Sequence, residues 1–406
     1  MYEPITDAQL LEVAERFGTP TYVYHAEKIA EQYNRLKQAF SGHPTRIFYA
    51  CKALTNINIL KYLKGLGSSI DCVSIGEVQL ALRAGYDKND ILFTPNCVDF
   101  DEIVEGTKLG VNINIDNISI LEKFGHEFGS SYPICIRINP HIEAGGNYKI
   151  STGHVDSKFG ISYYQMRHIE RVVKATGLQV KGLHMHTGSE IKDVSVFMRG
   201  LEIMFEIARE SHFKTLEYLD LGSGFKVPYK DDEIGTDVED LGKQLTNAVR
   251  EFEKEYGRSL EIWFEPGKFL VSEAGSFIVK TNVIKQTPAT VFVGVDSGFN
   301  HLIRPMFYES YHKITNLNNP NGTKRIYTVV GNICETDTFA WDRVISEVHE
   351  GDVLRFHNAG AYCFMMSSNF NSRMKPAEVL FIDGEFKEIR KRDEFEDLLH
   401  NQVEVL

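Results

Sequence analysis

The chain has 406 residues, of which 43% are hydrophobic, so it can bury a large core and form more than one folding unit. Its 44 basic and 56 acidic residues give a formal charge of −12, and no dense run of Lys and Arg is present, which argues against a nucleic-acid partner. The N-terminal segment MYEPITDAQL has no basic stretch followed by an apolar core, and no apolar run is long enough to span a bilayer, so we expect a soluble, cytoplasmic protein without a membrane partner.

The first two thirds of the chain alternate between strand-like and helix-like segments. TPTYVYH (19–25) is an apolar extended run that precedes the first helix. From about residue 26 to 272, short β-rich runs alternate with amphipathic segments, the pattern of a parallel sheet with crossover helices. Eight strands in a segment of this length favour a closed (β/α)8 barrel over an open doubly wound sheet. The predicted strands are RIFYACK (46–52), SIDCVS (69–74), ILFTPN (91–96), VNINID (111–116), YPICIRINP (132–140), VKGLHMH (180–186), LEYLDLG (216–222) and EIWFEPG (261–267), and the helices between them include GEVQLALRAG, FDEIVEGTKLG, YYQMRHIERVVKATG, DVSVFMRGLEIMFEIARE and DVEDLGKQLTNAVREFEKEYG.

The last third of the chain has a different pattern. FIVKTNVIKQ, TVFVGVD, RIYTVVG and VLRFHNAGAY are β-type runs separated by turns, without long helices between them. They predict a separate antiparallel β domain, to which TPTYVYH could add a strand. We therefore expect a barrel over 26–272 and a β domain formed by 1–25 and 273–406.

Polar residues follow the predicted barrel strands at their carboxyl ends. Because the loops of such a barrel converge at this face, catalytic residues are found there. The set comprises Lys52, Asp71, Ser74, Asn96, Arg137, Asn139, His184, His186, Asp220, Gly222, Gly224 and Glu265.

Three features that include members of this set suggest chemistry with an aldehyde cofactor. Lys52 at the mouth of an apolar barrel would be partly desolvated, which makes its neutral, aldehyde-reactive amine accessible. The small residues of LDLGSGF (219–225) would let backbone N–H groups approach a phosphate, and Glu265 could hold a pyridine nitrogen protonated. Each residue also has an ordinary interpretation: a solvated lysine, a tight turn, and a glutamate that pairs with Lys268. A glycoside hydrolase using Glu265 with Asp220 is conceivable, but it leaves Lys52 and the glycine loop unexplained.

The six cysteines, at positions 51, 72, 97, 135, 334 and 363, show neither a CxxC pair nor metal-ligand spacing. We predict no metal site and interpret most of them as small buried hydrophobic residues in a reducing compartment.

Seven motifs, in this order along nearly the whole chain, resemble the fold-III pyridoxal-phosphate decarboxylases, the alanine-racemase-like barrel group. They are YACKAL (49–54), SIDCVSIGEV (69–78), HMHTGSE (184–190), LDLGSGF (219–225), EPGK (265–268), CETD (334–337) and GAYCFMMSSNFNSR (360–373). SKFGIS (157–162), HLIRPMFYESYH (301–312) and SNFNSRMKPAEVL (368–380) are similar to the branch of the family that acts on diaminopimelate.

The resemblance implies a role for each matching residue. Lys52 is the lysine that binds pyridoxal 5'-phosphate covalently, His186 stacks on the ring and Glu265 meets the pyridine nitrogen. Cys334 acts near the reacting carbon and comes from a neighbouring subunit, so a homodimer with shared sites is implied. Ser189, Gly222, Gly224 and Tyr362 hold the phosphate; Asp71, Ser223, Gly267 and Lys268 complete the cofactor site; and Arg304, Tyr308, Glu335, Lys268 and Tyr362 contact the substrate.

The chain departs from the family pattern at four motifs. EPGR is EPGK here, so Lys268 offers a point charge where Arg would offer a planar fork. The middle glycine of GGG is Ser223, HIGSQ becomes HTGSE with an extra carboxylate at Glu190, and CESGD becomes CETDTF with Cys334 and Glu335 retained.

The expected reaction is decarboxylation of meso-diaminopimelate to L-lysine. Its substrate carries a second amino-acid head, which Arg304 could grip through the carboxylate and Glu335 through the ammonium group, although Arg304 could instead be a structural ion-pair partner. Carboxynorspermidine or another basic amino acid is the alternative substrate. A racemase of the same fold, or a non-catalytic relative, is also conceivable; a relative without activity should have lost Lys52, Cys334 or the phosphate loop.

Overall fold

The computed structural model describes residues 3–142, 153, 156–211 and 213–406. The chain divides into two compact units. The barrel unit consists of Gln32–Val227 and Ile234–Phe269, and the sheet unit consists of the chain up to Glu31, Pro228–Glu233 and Leu270–Leu406. Among the described residues, no helix combines the length and the apolar character needed to cross a membrane.

In the described part of the chain, strands and helices alternate up to β10 except that β7 follows β6, and strands predominate afterwards. The strands are β1 (Thr21–His25), β2 (Thr45–Ala50), β3 (Ser69–Cys72), β4 (Ile91–Phe93), β5 (Asn112–Ile115), β6 (Ile134–Asn139), β7 (Ile161–Ser162), β8 (Val180–His184), β9 (Tyr218–Asp220), β10 (Glu261–Phe264), β11 (Gly275–Gln286), β12 (Val291–Val295), β13 (Ile314–Asn316), β14 (Lys324–Val330), β15 (Thr338–Ser346), β16 (Val353–Phe356), β17 (Ala377–Ile382) and β18 (Glu385–Arg390). The helices are α1 (Asp7–Phe17), α2 (Ala26–Ala39), α3 (Ile57–Leu66), α4 (Ile75–Ala84), α5 (Phe100–Leu109), α6 (Ile118–Phe128), α7 (Met166–Thr176), α8 (Val194–Glu210), α9 (Val238–Tyr256), α10 (Lys268–Val271), α11 (Arg304–Tyr308) and α12 (Phe395–Leu399).

The barrel unit is a closed parallel barrel. Within the described ranges its ring runs β2, β3, β4, β5, β6, β8, β9 and β10, and β10 pairs with β2 to close it. Every pairing in the ring is parallel, and parallel pairing of successive strands requires crossover connections. The closed ring confirms the predicted (β/α)8 barrel and excludes the open sheet. It also brings the carboxyl ends of all its strands to one face.

Large buried side chains from the barrel strands pack against one another. Phe48, Leu92, Cys135, Tyr218 and Trp263 form one buried cluster, in which the Tyr218 and Trp263 rings stack with centroids 3.4 Å apart. The core is therefore packed rather than hollow, which confines ligands to the mouth of the barrel.

Polar residues just before the barrel helices serve as helix caps. Ser74, which the sequence placed among the polar mouth residues, caps α4 by accepting a hydrogen bond from the Glu77 backbone N–H at 3.2 Å. Asn117 accepts from the Ile120 backbone N–H at 2.9 Å and caps α6 in the same way. Both side chains satisfy backbone donors that the first turn of a helix leaves free, so their position reflects helix initiation.

The sheet unit is built on one mixed sheet in the order β15, β14, β12, β11, β1, β17 and β18, with β16 and β13 added beside β11. Most pairs are antiparallel, as predicted, and the N-terminal run forms β1 at the centre of the sheet. Two pairs differ from the prediction because they are parallel: β1 with β17 and β12 with β14. Long connections separate the partners in both pairs, and only long connections allow parallel pairing.

Candidate active site

Lys52 and Asp71 form an ion pair at the mouth of the barrel. Lys52 lies in the short turn that follows β2, and Asp71 lies on the neighbouring strand β3. The lysine Nζ donates to Asp71 Oδ2 at 3.0 Å; the lysine side chain is 41% exposed, whereas the Asp71 side chain is fully buried. Burial and the charge of Glu265 raise the pKa of Asp71, while the nearby lysine opposes that rise. The pair holds the Lys52 amine in a fixed position that solvent and ligands can still reach.

Glu265 belongs to a buried group of three titratable side chains. His184 and Asp220 lie side by side on paired strands, and Glu265 follows the end of β10. Potential ligand atoms of the three side chains lie within 4.8 Å of one another, and His184 Nε2 is 3.2 Å from Glu265 Oε2.

The pKa values of the two carboxyls in this group, Glu265 and Asp220, shift in opposite directions. Burial alone would raise the pKa of Glu265, but His184 and Lys52 outweigh it and hold the pKa at about 2. Burial and the charge of Glu265 raise the pKa of Asp220 well above its ordinary value. Of these two carboxyls, Glu265 is therefore the ionised one, as a partner for a cationic ring nitrogen must be.

The glycine loop after β9 packs against the loop after β8. Gly222 and Gly224 have φ values of 62° and 114°, so side chains there would be strained. A Cβ on Gly222 would lie 2.6 Å from the Met185 carbonyl oxygen, and one on Gly224 would lie 2.3 Å from the Gly188 carbonyl oxygen. Since both positive-φ positions of the loop are glycines, the serine at 223 between them is tolerated.

His186 faces this loop. The Ser223 backbone N–H donates to His186 Nδ1 at 3.2 Å, so that nitrogen accepts and any ring proton lies on Nε2. Burial, with Arg137 and Lys52 nearby, lowers the pKa of His186 to about 3. The imidazole is consequently neutral at physiological pH and suited to stacking.

Lys268 opens α10 directly after buried Gly267. Its ammonium group donates to Ser189 Oγ at 3.3 Å and forms an ion pair with Glu190. Two predicted cofactor-site residues, Ser189 and Lys268, are thus in contact, and Glu190 is joined to them.

The predicted substrate residues Arg304 and Tyr308 lie at the two ends of α11 in the sheet unit. Arg304 is 5% exposed, donates to Ser310 Oγ at 3.3 Å, and has its guanidinium carbon 5.8 Å from the Tyr229 and Tyr308 ring centroids. Two aromatic rings therefore orient the guanidinium group.

Cys334 and Glu335 lie exposed on the loop between β14 and β15. The Asn371 side chain contacts this loop at two points. Its Oδ1 accepts a hydrogen bond from the Cys334 backbone N–H at 2.8 Å, and its Nδ2 is 3.1 Å from Cys334 Sγ. Tyr362 is half-buried and has a left-handed backbone with φ of 57°.

Sequence reasoning missed the partners of several of these residues. It placed His184 at the mouth without connecting it to Glu265, and it gave no role to Asn371. It also did not predict that Asn96 and Asp116, which follow neighbouring strands, hydrogen-bond to each other. The only available signal was that these residues belong to motifs or strand ends, because the contacts join residues 20 or more positions apart.

A parallel (β/α)8 barrel with a lysine–aspartate pair, an ionised buried carboxylate and a glycine cradle at its mouth defines a pyridoxal-type enzyme. Residues 26–272 match the model of the pyridoxal binding domain of pyridoxal-dependent decarboxylases. The chain belongs to the pyridoxal-dependent decarboxylase family.

Individual relatives cover almost the whole chain. It is 39% identical to the diaminopimelate decarboxylase of Methanothermobacter thermautotrophicus, over 98% of this chain and 95% of that protein. It is 34% identical to the diaminopimelate decarboxylase of Campylobacter jejuni, over 95% and 96% of the two chains. The crystal structure of diaminopimelate decarboxylase from Helicobacter pylori in complex with L-lysine superposes with a TM-score of 0.88 at 32% identity, over 96% and 98% of the two chains. These relatives confirm the resemblance predicted from the motifs.

Proposed function

We propose that the chain decarboxylates meso-diaminopimelate to L-lysine and carbon dioxide, with pyridoxal 5'-phosphate bound to Lys52. The observation that carries the proposal is the arrangement of Lys52 on Asp71 beside a Glu265 carboxylate that His184 keeps ionised. Relatives at 34% and 39% identity over nearly the full length are diaminopimelate decarboxylases, and the solved relative from Helicobacter pylori holds L-lysine.

The residues present fit this cofactor. The cradle at Gly222 and Gly224 is open only because both lack a side chain, and backbone N–H groups there suit a phosphate. A buried, ionised Glu265 suits a protonated pyridine nitrogen. We assign the phosphate to Ser189, Gly222, Ser223, Gly224, Gly267, Lys268 and Tyr362, the ring face to His186, the pyridine nitrogen to Glu265 and the aldehyde carbon to Lys52.

The bound cofactor supplies an electron sink for the electron pair that departing carbon dioxide leaves on the substrate carbon. Residues of the chain position the reacting groups, hold the charges and donate the proton. Asp71 positions the Lys52 amine, and His184 keeps Glu265 ionised. Neutral His186 offers a ring face without adding charge. A proton must then replace carbon dioxide on the same carbon, and the Cys334 thiol and the Lys52 ammonium group are the candidate donors.

Arg304 supports diaminopimelate as the substrate. A guanidinium group oriented by two rings suits a carboxylate, which it can bind through two parallel hydrogen bonds. Lysine and ornithine have no distal carboxylate, whereas diaminopimelate has one. Glu335 offers a negative charge for the distal ammonium group, and Tyr308 and Tyr362 complete the proposed substrate contacts.

We also propose a homodimer with shared active sites, in which Cys334 and Glu335 act in the partner's site. This proposal is supported by the exposure of both side chains and by Asn371, which holds their loop in a defined conformation. Mixing Lys52→Ala and Cys334→Ala subunits should restore about one quarter of the wild-type activity, because half of the random dimers keep one intact site. Mixed samples as inactive as each variant alone would contradict shared sites.

The six cysteines are all free, which supports our proposal that the reaction takes place in the reducing cytoplasm.

The substrate is tested by measuring carbon dioxide release from purified, cofactor-loaded protein with meso-diaminopimelate, lysine, ornithine and carboxynorspermidine. We expect release from diaminopimelate at a kcat/KM far above that for the other three. If carbon dioxide is released preferentially from carboxynorspermidine or a basic amino acid, that compound replaces diaminopimelate as the proposed substrate. Exchange of the α-proton without any carbon dioxide would indicate a racemase.

A further inference from the structure

Glu190 places a carboxylate beside the proposed phosphate site. The loop that carries it is tied to the glycine loop, because the Ile191 backbone N–H donates to the Gly224 carbonyl oxygen at 2.8 Å. Gly188 lies in the same loop as Glu190. A Cβ on Gly224 would come within 2.3 Å of the Gly188 carbonyl oxygen, so the two loops are in close contact. A carboxylate in this position repels any oxyanion that the glycine loop binds.

The Glu190 carboxylate meets the ammonium group of Lys268. The Lys268 side chain is only 8% exposed and that of Glu190 is 24% exposed, so water screens the pair incompletely. Lys268 also donates to Ser189 Oγ at 3.3 Å, which places its charge beside another proposed phosphate ligand. An anion that reaches Lys268 must share it with Glu190 or displace Glu190 from it.

The backbone of Glu190 lies in the left-handed region, with φ of 63°. This conformation is uncommon for a residue other than glycine, asparagine or aspartate, and it costs on the order of 1 kcal/mol. The surrounding structure therefore imposes this backbone conformation on Glu190. The two positions also lie in two of the four motifs, HTGSE and EPGK, at which the sequence departs from the family pattern.

We infer that the Glu190 carboxylate occupies the ammonium group of Lys268 and thereby lowers the affinity of the barrel mouth for an incoming oxyanion. The oxyanion is either the phosphate of the cofactor or a carboxylate of the substrate. This inference rests on the proposed function, because it assumes that Lys268 receives one of these groups. Glu190 is a positioning residue in this scheme and takes no part in bond making.

Glu190→Gln tests the inference, because the amide keeps an oxygen that accepts from Lys268 and removes only the charge. Dissociation constants are measured for pyridoxal 5'-phosphate and for pyridoxal, which has the same aldehyde and ring but no phosphate. KM and kcat for diaminopimelate are measured on the cofactor-saturated protein. Glu202→Gln makes the same charge change on the exposed face of α8 and serves as the control.

If the oxyanion is the phosphate, the variant should bind pyridoxal 5'-phosphate about 3- to 10-fold more tightly, with pyridoxal unchanged. If it is the substrate carboxylate, KM should fall by a similar factor with kcat and both dissociation constants unchanged. The control should change none of these values.

The inference is overturned if wild type and variant have equal dissociation constants and KM values. It is also overturned if the variant binds the oxyanion more weakly while keeping the wild-type unfolding midpoint. Either result would leave a purely structural ion pair. If wild-type protein binds neither pyridoxal 5'-phosphate nor pyridoxal, the proposed function itself fails. The two failures are thus distinguished by the wild-type measurements.

Discussion

Replacing His184 should destabilise the barrel in a pH-dependent manner. His184 is fully buried and lies 3.2 Å from Glu265, whose side chain is 6% exposed. The pKa of Glu265 is about 2, compared with an ordinary value of 4.5. A difference of this size corresponds to at most about 3 kcal/mol of folding free energy.

The direction of the pH effect follows from the sign of this shift. A folded-state pKa below the unfolded value contributes stability that is fully present above pH 4.5 and is lost as the pH falls towards 2. Without His184, burial dominates and the Glu265 pKa rises, so the ionised carboxylate becomes a cost at neutral pH. Variant and wild type should therefore differ most at pH 7 and less in acid.

The assay is urea unfolding of the cofactor-free protein at pH 7 and at pH 3, a value inside the range over which the Glu265 contribution is lost. We expect His184→Phe to lose about 3 kcal/mol at pH 7, and His184→Gln, which keeps a hydrogen-bond donor, to lose less. The surface pair of His168 and Glu122, also 3.2 Å apart but about half exposed, provides the control, and His168→Phe should cost less than about 1 kcal/mol. A His184→Phe loss that is equal at both pH values would refute the electrostatic role of His184.

Three further predictions concern other parts of the proposed sites. Gly224→Ala should weaken cofactor binding at least about 10-fold, because its Cβ would lie 2.3 Å from the Gly188 carbonyl oxygen. Gly257→Ala, at φ of 78° with no atom within 4 Å, should leave the cofactor dissociation constant unchanged, and equal effects of the two substitutions would contradict the cradle. Arg304→Ala should lower kcat/KM for diaminopimelate by about 10- to 100-fold, as expected for a lost charge-assisted contact, and an unaltered value would remove Arg304 from the substrate site. Asn371→Ala should release the Cys334 loop and speed alkylation of that thiol by a maleimide in the cofactor-free protein; unchanged labelling would show that Asn371 does not hold it.

The sequence predicted the barrel well because its signal is local. All eight predicted barrel strands are present, since the β-rich runs are bounded by turn residues and most of them are followed by an amphipathic helix. In the sheet unit, β13, β15, β17 and β18 had no separate prediction. Strand pairing there joins distant residues, as β1 and β17 show, and periodicity carries no information about such partners.

In the candidate site, likewise, the sequence identified some residues but not the partners that they contact in the fold. Motif positions identified Lys52 and Glu265, because their residue types at the ends of strands are unusual. Their partners could not be ranked from the sequence, where Asp71, Ser74 and His184 look alike as polar residues near strand ends. Only the fold distinguishes the carboxylate that pairs with Lys52 and the imidazole that pairs with Glu265 from a serine that caps a helix.

The central claim is that Lys52 binds the cofactor aldehyde covalently. The most direct measurement is borohydride reduction of the protein mixed with pyridoxal 5'-phosphate, followed by peptide mass spectrometry. We predict a pyridoxyl adduct on Lys52, and none when Lys52→Ala is treated in the same way. A wild-type protein that stays colourless with the cofactor, or an adduct found only on other lysines, would contradict this account of the site.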